Sequence, residues 1–184
     1  LLLGMLGRFD EAWALAGSAE ERLREFGHGP EASLRLAEIA ALAGDEERAT
    51  APYRGWCELL ESAGRRAALS HSAPILGRLL CAVGRHDDAE PLAETGRELG
   101  DPTDVTTQVS WRQAMALVSA ARGRHAEADG LARDAVRIAE TTDYLKTQAD
   151  AYSDLAQVLE ASGRHDEAIT AWRRATMVAA TSGA

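Results

Sequence analysis

Five glycines, Gly7, Gly44, Gly84, Gly123 and Gly163, divide the chain at intervals of 37, 40, 39 and 40 residues, and five residues after each stands an alanine: Ala12, Ala49, Ala89, Ala128 and Ala168. Seven residues before the last four glycines the residue is again small (Ala37, Gly77, Ala116, Ala156), and just before those come Leu36, Leu76, Met115 and Leu155. A chain in which small and large apolar positions recur at a fixed distance from a glycine is a chain of repeats, and its fold is set by how one unit stacks on the next. Each unit reads as a helix, a tight turn at glycine and a second helix running back against the first. Glycine suits the turn because the residue after a helix commonly takes a left-handed conformation that costs other residues free energy. Small residues on both sides of it let two backbones approach closely while the neighbouring Leu or Met fills the groove.

Acidic residues follow each turn: Asp10 and Glu11, Glu46 and Glu47, Asp87 and Asp88, Glu127, then Asp166 and Glu167. They stand where the N-terminus of the second helix carries partial positive charge. The joints predict helices over 8–26, 31–43, 46–63, 66–83, 87–99, 105–122, 125–140, 144–162 and 165–180. In "GDPTD", Gly100 to Asp104, Pro102 stops one helix and Asp104 is available to cap the next; "TTD" before Tyr144 plays the same part. Pro91 falls in the first turn of its helix, whereas Pro52 and Pro74 lie deeper and are expected to bend or interrupt theirs.

Composition agrees with an all-α fold. Of 184 residues 46% are hydrophobic, enough for a real core, yet only 5% are aromatic, and Ala and Leu dominate over β-branched residues. A net charge of −9 argues against contact with a phosphate backbone, which needs clustered cations, so neither DNA nor RNA is an expected partner. Lys146 is the single lysine among 20 basic residues, a bias of GC-rich genomes that hints at a bacterial source. Cys57 and Cys81 have neither zinc-ligand spacing nor the density of a disulfide scaffold, so reduced thiols in a cytoplasmic protein are expected. "LLLGMLG" is too short to span a bilayer and lacks the pattern of a signal peptide. It reads as part of a helix in a longer protein, making residues 1–184 one repeat domain of about four helix pairs after a truncated first repeat.

Glycine with alanine five later, a small residue seven before and an apolar one eight before resembles the tetratricopeptide repeat. "LAQVLEASGRHDEAITAWRRA", Leu155 to Ala175, is especially similar, with Trp172 and Ala175 at packing positions of the second helix. Trp56 and Gly96 replace the expected alanine in two copies, and the period of about forty exceeds the ~34 of the standard repeat. The resemblance implies a right-handed α-solenoid of antiparallel helix pairs. More narrowly, the run from "VSWRQAMALVSAARGRHAEADGL" through "SGRHDEA" resembles the C-terminal repeat regions of large bacterial signalling proteins with a cyclase or transcription-activator domain and an NTPase domain. There such repeats dock partners and regulate. No GxxxxGK[ST] loop, cyclase domain or basic helix-turn-helix reader occurs in this chain.

His86, His125 and His165 occupy equivalent places two residues after a turn glycine, where another copy has Phe9; a ring packed over the joint explains both residue types. Equivalent places on stacked repeats lie about 8–10 Å apart, too far to share an ion at about 2.1 Å, so no metal site is expected. His28 and His71 have no local ligand partners. No Ser/His/Asp or Cys/His arrangement can be assembled, and the paired carboxylates are accounted for by helix starts. No catalytic residue and no cofactor are therefore expected. The remaining candidate is the concave face lined by first helices, with Ser110, Gln113 and Leu117 from one and Asp150, Ser153, Asp154, Gln157 and Glu160 from the next. Such a groove suits a protein or peptide with basic residues, not a membrane. Trp111 and Arg112 are expected to reach the same groove, with sealing of the inter-repeat core as the alternative for Trp111. The alternative is a purely structural spacer or dimerisation module using apolar ends such as Leu1 to Leu3.

Overall fold

The computed structural model describes residues 8–25, 36, 37, 39–41 and 43–182. Within them eight helices are bounded: α1 (Phe9–Glu25), α2 (Glu46–Ser62), α3 (Arg66–Ala82), α4 (His86–Leu99), α5 (Val105–Ala121), α6 (His125–Ala139), α7 (Leu145–Ala161) and α8 (His165–Ser182). Residues 36, 37, 39–41 and 43 are helical too, and no strand occurs among the described residues. Gly7, His28, Leu1 to Leu3 and most of the predicted helix 31–43 lie outside them.

The glycine joints form as expected. Gly44, Gly84, Gly123 and Gly163 have φ of 73°, 82°, 73° and 74°, and Gly64, which turns α2 into α3, has φ 63°. At each, the residue after glycine donates its N–H to a carbonyl five positions back, as Arg85 does to Leu80 at 2.8 Å and Arg164 to Leu159 at 2.9 Å. Those bonds satisfy carbonyls that the helix end would otherwise leave open. Asp104 caps α5 by accepting from the N–H groups of Thr106 and Thr107. At "TTD" it is the Thr142 hydroxyl, and not Asp143, that accepts from the Tyr144 N–H.

Antiparallel pairs α3/α4, α5/α6 and α7/α8 stack in order, α4 packing on α5 and α6 on α7, while the first helices α3, α5 and α7 also touch in sequence. The repeated small residues sit at the closest approaches: Ala49, Ala89, Ala128, Ala116 and Ala156 are fully buried. A Cβ on Gly77 would lie 3.1 Å from the Ala89 carbonyl oxygen, so glycine there sets the α3/α4 spacing. Leu76, Met115 and Leu155 are buried beside them. Trp111 packs with Ala93, Ala114 and Met115, which assigns it to the inter-repeat core.

Pro52 and Pro74 interrupt neither α2 nor α3, each of which runs for 17 residues. Pro74 is buried, and its ring fills the space left by Gly96 on α4. Packing on both sides of the proline outweighs the one ladder hydrogen bond it removes. Half-buried Phe9 and His86 fit the expectation of a ring over the joint, whereas His125 and His165 are exposed and do not.

Candidate interaction face

One row of α3, α5 and α7 carries the residues six before each turn glycine, Arg78, Leu117 and Gln157, and those nine before, Ile75, Ala114 and Asp154. Arg78 reaches from α3 to α7, past the small Ala114. Its Nε and Nη2 donate to the two carboxylate oxygens of Asp154 at 2.7 and 3.1 Å. Its Nη1 stands 3.6 Å from Asp150, which also accepts from Lys146 Nζ at 2.8 Å. The bidentate geometry is the strong form of this pair, and it ties together helices 76 residues apart in sequence. Burial pushes the Asp154 carboxyl above its ordinary value, and the Arg78 guanidinium pulls it back part of the way.

The eight residues expected to line this face fall into three groups. Ser110, Gln113 and Asp154 are buried; Leu117, Asp150 and Ser153 are half-buried; Gln157 and Glu160 are exposed. The Ser110 and Ser153 hydroxyls donate to backbone carbonyls one turn back, Thr106 and Ala149. Gln113 Nε2 is buried with no hydrogen-bond partner. Glu160 accepts from the indole of Trp172 at 3.3 Å. Sequence reasoning missed Arg78 and Lys146, whose charges offset Asp150 and Asp154. Lys146 stands one turn before Asp150 on the same helix, a local spacing, whereas only the fold brings Arg78 to Asp154.

A second feature absent from the sequence reading is a run of ion pairs along the turn edge. After four of the five repeat glycines, all but Gly44, an arginine follows and binds an acid three residues on: Arg8 with Glu11, Arg85 with Asp88, Arg124 with Glu127 and Arg164 with Glu167. Three of these arginines also reach back to the previous repeat: Arg85 to Glu46 at 2.7 Å, Arg124 to Glu90 at 3.8 Å and Arg164 to Asp129 at 3.0 Å. The recurring Gly-Arg was the available signal. Exposed pairs of this kind align neighbouring repeats more than they stabilise them.

These joints, stacked pairs and shared small-residue contacts are features of one architecture. The fold is that of a TPR-like solenoid. Two crystal structures of kinesin light chain-like, nearly identical TPR-like repeats from Podosopora anserina, one of them a single-residue variant, match with TM-scores of 0.50 and 0.51. Each is 18% identical in sequence, the match covering 98% of this chain and 91% of the other. No protein-family model and no curated protein sequence matches the chain. The period of about forty is thus accommodated within a TPR-like stack, whose first helices make one row.

Among the described residues no three His, Cys, Asp or Glu gather as a metal site requires, and no helix is long and apolar enough to cross a membrane. His71 is half-buried, and burial holds its imidazole below the ordinary histidine value against the pull of Asp104. Both cysteines are free and buried. Burial, with Glu61 and then Glu58 adding to it, pushes the Cys57 thiol up to about 11. Burial and Asp154, opposed by Arg78, push Cys81 up to about 12. At pH 7.5 both are therefore expected to react with a thiol reagent on the order of a hundredfold more slowly than free cysteine. Unfolding in urea should restore the rate; native reactivity equal to that of the free thiol would contradict the buried placement.

Proposed function

We propose that the chain is a non-catalytic protein-interaction module of a larger bacterial signalling protein, in the cytoplasm, that takes a partner segment with basic residues along the concave row of first helices. The observation that carries this reading is the side-by-side packing of the first helices α3, α5 and α7, and the contact residues we assign to it are Leu117 of α5 and Asp150, Ser153, Gln157 and Glu160 of α7. The buried Ser110, Gln113 and Asp154 shape the floor of this row, and the partner meets the residues around them. The TPR-like fold supports a role in protein binding. The resemblance of the C-terminal half to repeat regions of cyclase and transcription-activator proteins supports the signalling context.

The test has two arms. A basic peptide selected for binding to the intact chain should lose affinity when Gln157→Lys and Glu160→Lys are introduced together, since a rim charge acts on encounter and salt dependence. In the full-length natural protein, deleting this region should change the output of the attached domain. Output unchanged by the deletion would remove the regulatory role, and peptide binding unchanged by the double substitution would remove the concave site.

A further inference from the structure

In a solenoid each repeat ordinarily contacts only its neighbours, and the curvature of the stack is the sum of small, independent rotations. Ion pairs along the turn edge keep to this rule: Arg85 with Glu46 and Arg164 with Asp129 each join adjacent repeats. Arg78 does not. Its helix, α3, and α7 do not pack on one another, because α5 stands between them. Yet the guanidinium binds both carboxylate oxygens of Asp154, at 2.7 and 3.1 Å.

Two interaxial steps of about 8–10 Å, less a backbone radius of about 2.3 Å at each end, leave roughly 11–15 Å between α3 and α7. An arginine and an aspartate bonded tip to tip just span such a gap, so the bond sets an upper limit on the separation. The contacts it acts through are of another kind. Gly77 faces Ala114 where α3 meets α5, and Leu117 of α5 packs against the apolar clusters on both sides of it. Apolar contact is non-directional and lets one helix slide on the next. A fork of two N–H donors on one carboxylate fixes distance and angle together.

The α7 end of the bond is anchored on its own helix. Gln157 Nε2 donates to Asp154 at 3.4 Å, and Asp150, 3.6 Å from Arg78 Nη1, accepts from Lys146 at 2.8 Å. Only 4% of the Asp154 side chain and 22% of that of Arg78 are exposed. A pair so placed is screened little by salt, and parting it leaves a buried charge without its partner. The bond is therefore made or broken as a unit, which gives the row two discrete arrangements.

We propose that the Arg78–Asp154 bridge is a curvature lock, which couples the rotations of the α3/α5 and α5/α7 interfaces, holds the concave row closed, and on opening lets the α7/α8 pair swing away from α3.

Spin labels at Ala82→Cys and Ala161→Cys read the opening directly. These exposed alanines end α3 and α7, each two residues before its turn glycine, and the native thiols of Cys57 and Cys81 are buried. Double electron–electron resonance on the intact chain should give one narrow distance distribution. Arg78→Met should broaden it and lengthen its mean by about 2 Å or more, the scale of helix shifts in switching proteins. Leu159→Ala truncates the core of the α7/α8 pair without touching the bridge, so it should lower stability and leave the distribution as it was. If Arg78→Met does not fold, Asp154→Asn, neutral and of the same shape, decides in its place. A distribution unmoved by loss of the bridge would overturn the proposal and assign the curvature to apolar packing alone. One moved as far by Leu159→Ala would overturn it too, since any loss of stability would then loosen the stack.

Discussion

Gly96→Ala is expected to destabilise the chain, and Pro74→Ala in the same molecule to reverse the loss. A Cβ at position 96 would stand 2.2 Å from Pro74 Cγ and 3.0 Å from Trp111 Cβ, well inside van der Waals contact. The proline ring cannot rotate away, and Trp111 is held by Ala93, Ala114 and Met115. Overpacking of this kind costs about 1–3 kcal/mol, against a helix-propensity gain of roughly 1 kcal/mol on replacing an interior glycine. With so short a contact the expected net loss is about 2 kcal/mol.

Removing the proline ring opens the space, and it also restores an N–H to the helical ladder, where an interior proline costs about 3 kcal/mol. The double variant is therefore expected to unfold at a urea concentration equal to or above that of the natural chain. Residues in contact show coupling of about 0.5–3 kcal/mol in a double-mutant cycle. Additive effects of the two substitutions on the urea midpoint would mean that the two residues do not share one space.

Arg78→Met is expected to cost about 3 kcal/mol at neutral pH, the lower end for breaking a buried pair, because the guanidinium is 22% exposed while the Asp154 carboxylate is only 4% exposed. The loss comes mainly from leaving that carboxylate in a low-dielectric site without its bidentate partner. A double variant with Asp154→Leu should recover most of the stability, since burying two apolar groups in place of a pair is often neutral or better.

The pH dependence follows from the direction of the Asp154 shift. Burial already holds the folded pKa above its ordinary value, and loss of Arg78 raises it further. The unfolded chain keeps the ordinary value, so over the interval between the two the folded state binds more protons. Stability of the variant should then rise as pH falls from neutral through the raised folded pKa toward the ordinary aspartate range, narrowing its gap from the natural chain. A gap that stays constant or widens on acidification would show that Asp154 is not the group left unpaired.

Several features of this solenoid could be read before any fold was known because each acts over a dozen residues or fewer. The turn glycines, the alanines five later and the small residues seven before are local demands of one helix pair, and the bounds of α2 to α7 fall within a residue of those predicted from them. The cap at Asp104 is similarly local. That the prolines interrupt neither helix could not be read from sequence, for the opposite reason. Pro74 looks like a helix breaker from its neighbours, yet the packing that keeps α3 whole comes from Gly96 on another helix. Gly96 itself looked like a lapse from the repeat pattern, and in the fold it is the complement of Pro74. Of the residues expected on the concave face, only Gln157 and Glu160 are in open solvent, because the curvature that brings α7 within reach of Arg78 closes over Asp154.

By itself the sequence determined the unit: a helix, a left-handed glycine turn and a returning helix, repeated every forty residues or so, because left-handed φ and close helix contact are properties of one or two side chains. The tertiary structure alone decided which charges distant in sequence are matched. Arg78 finds Asp154 through the rotation of one repeat on the next. That rotation is the sum of many contacts between residues distant in sequence.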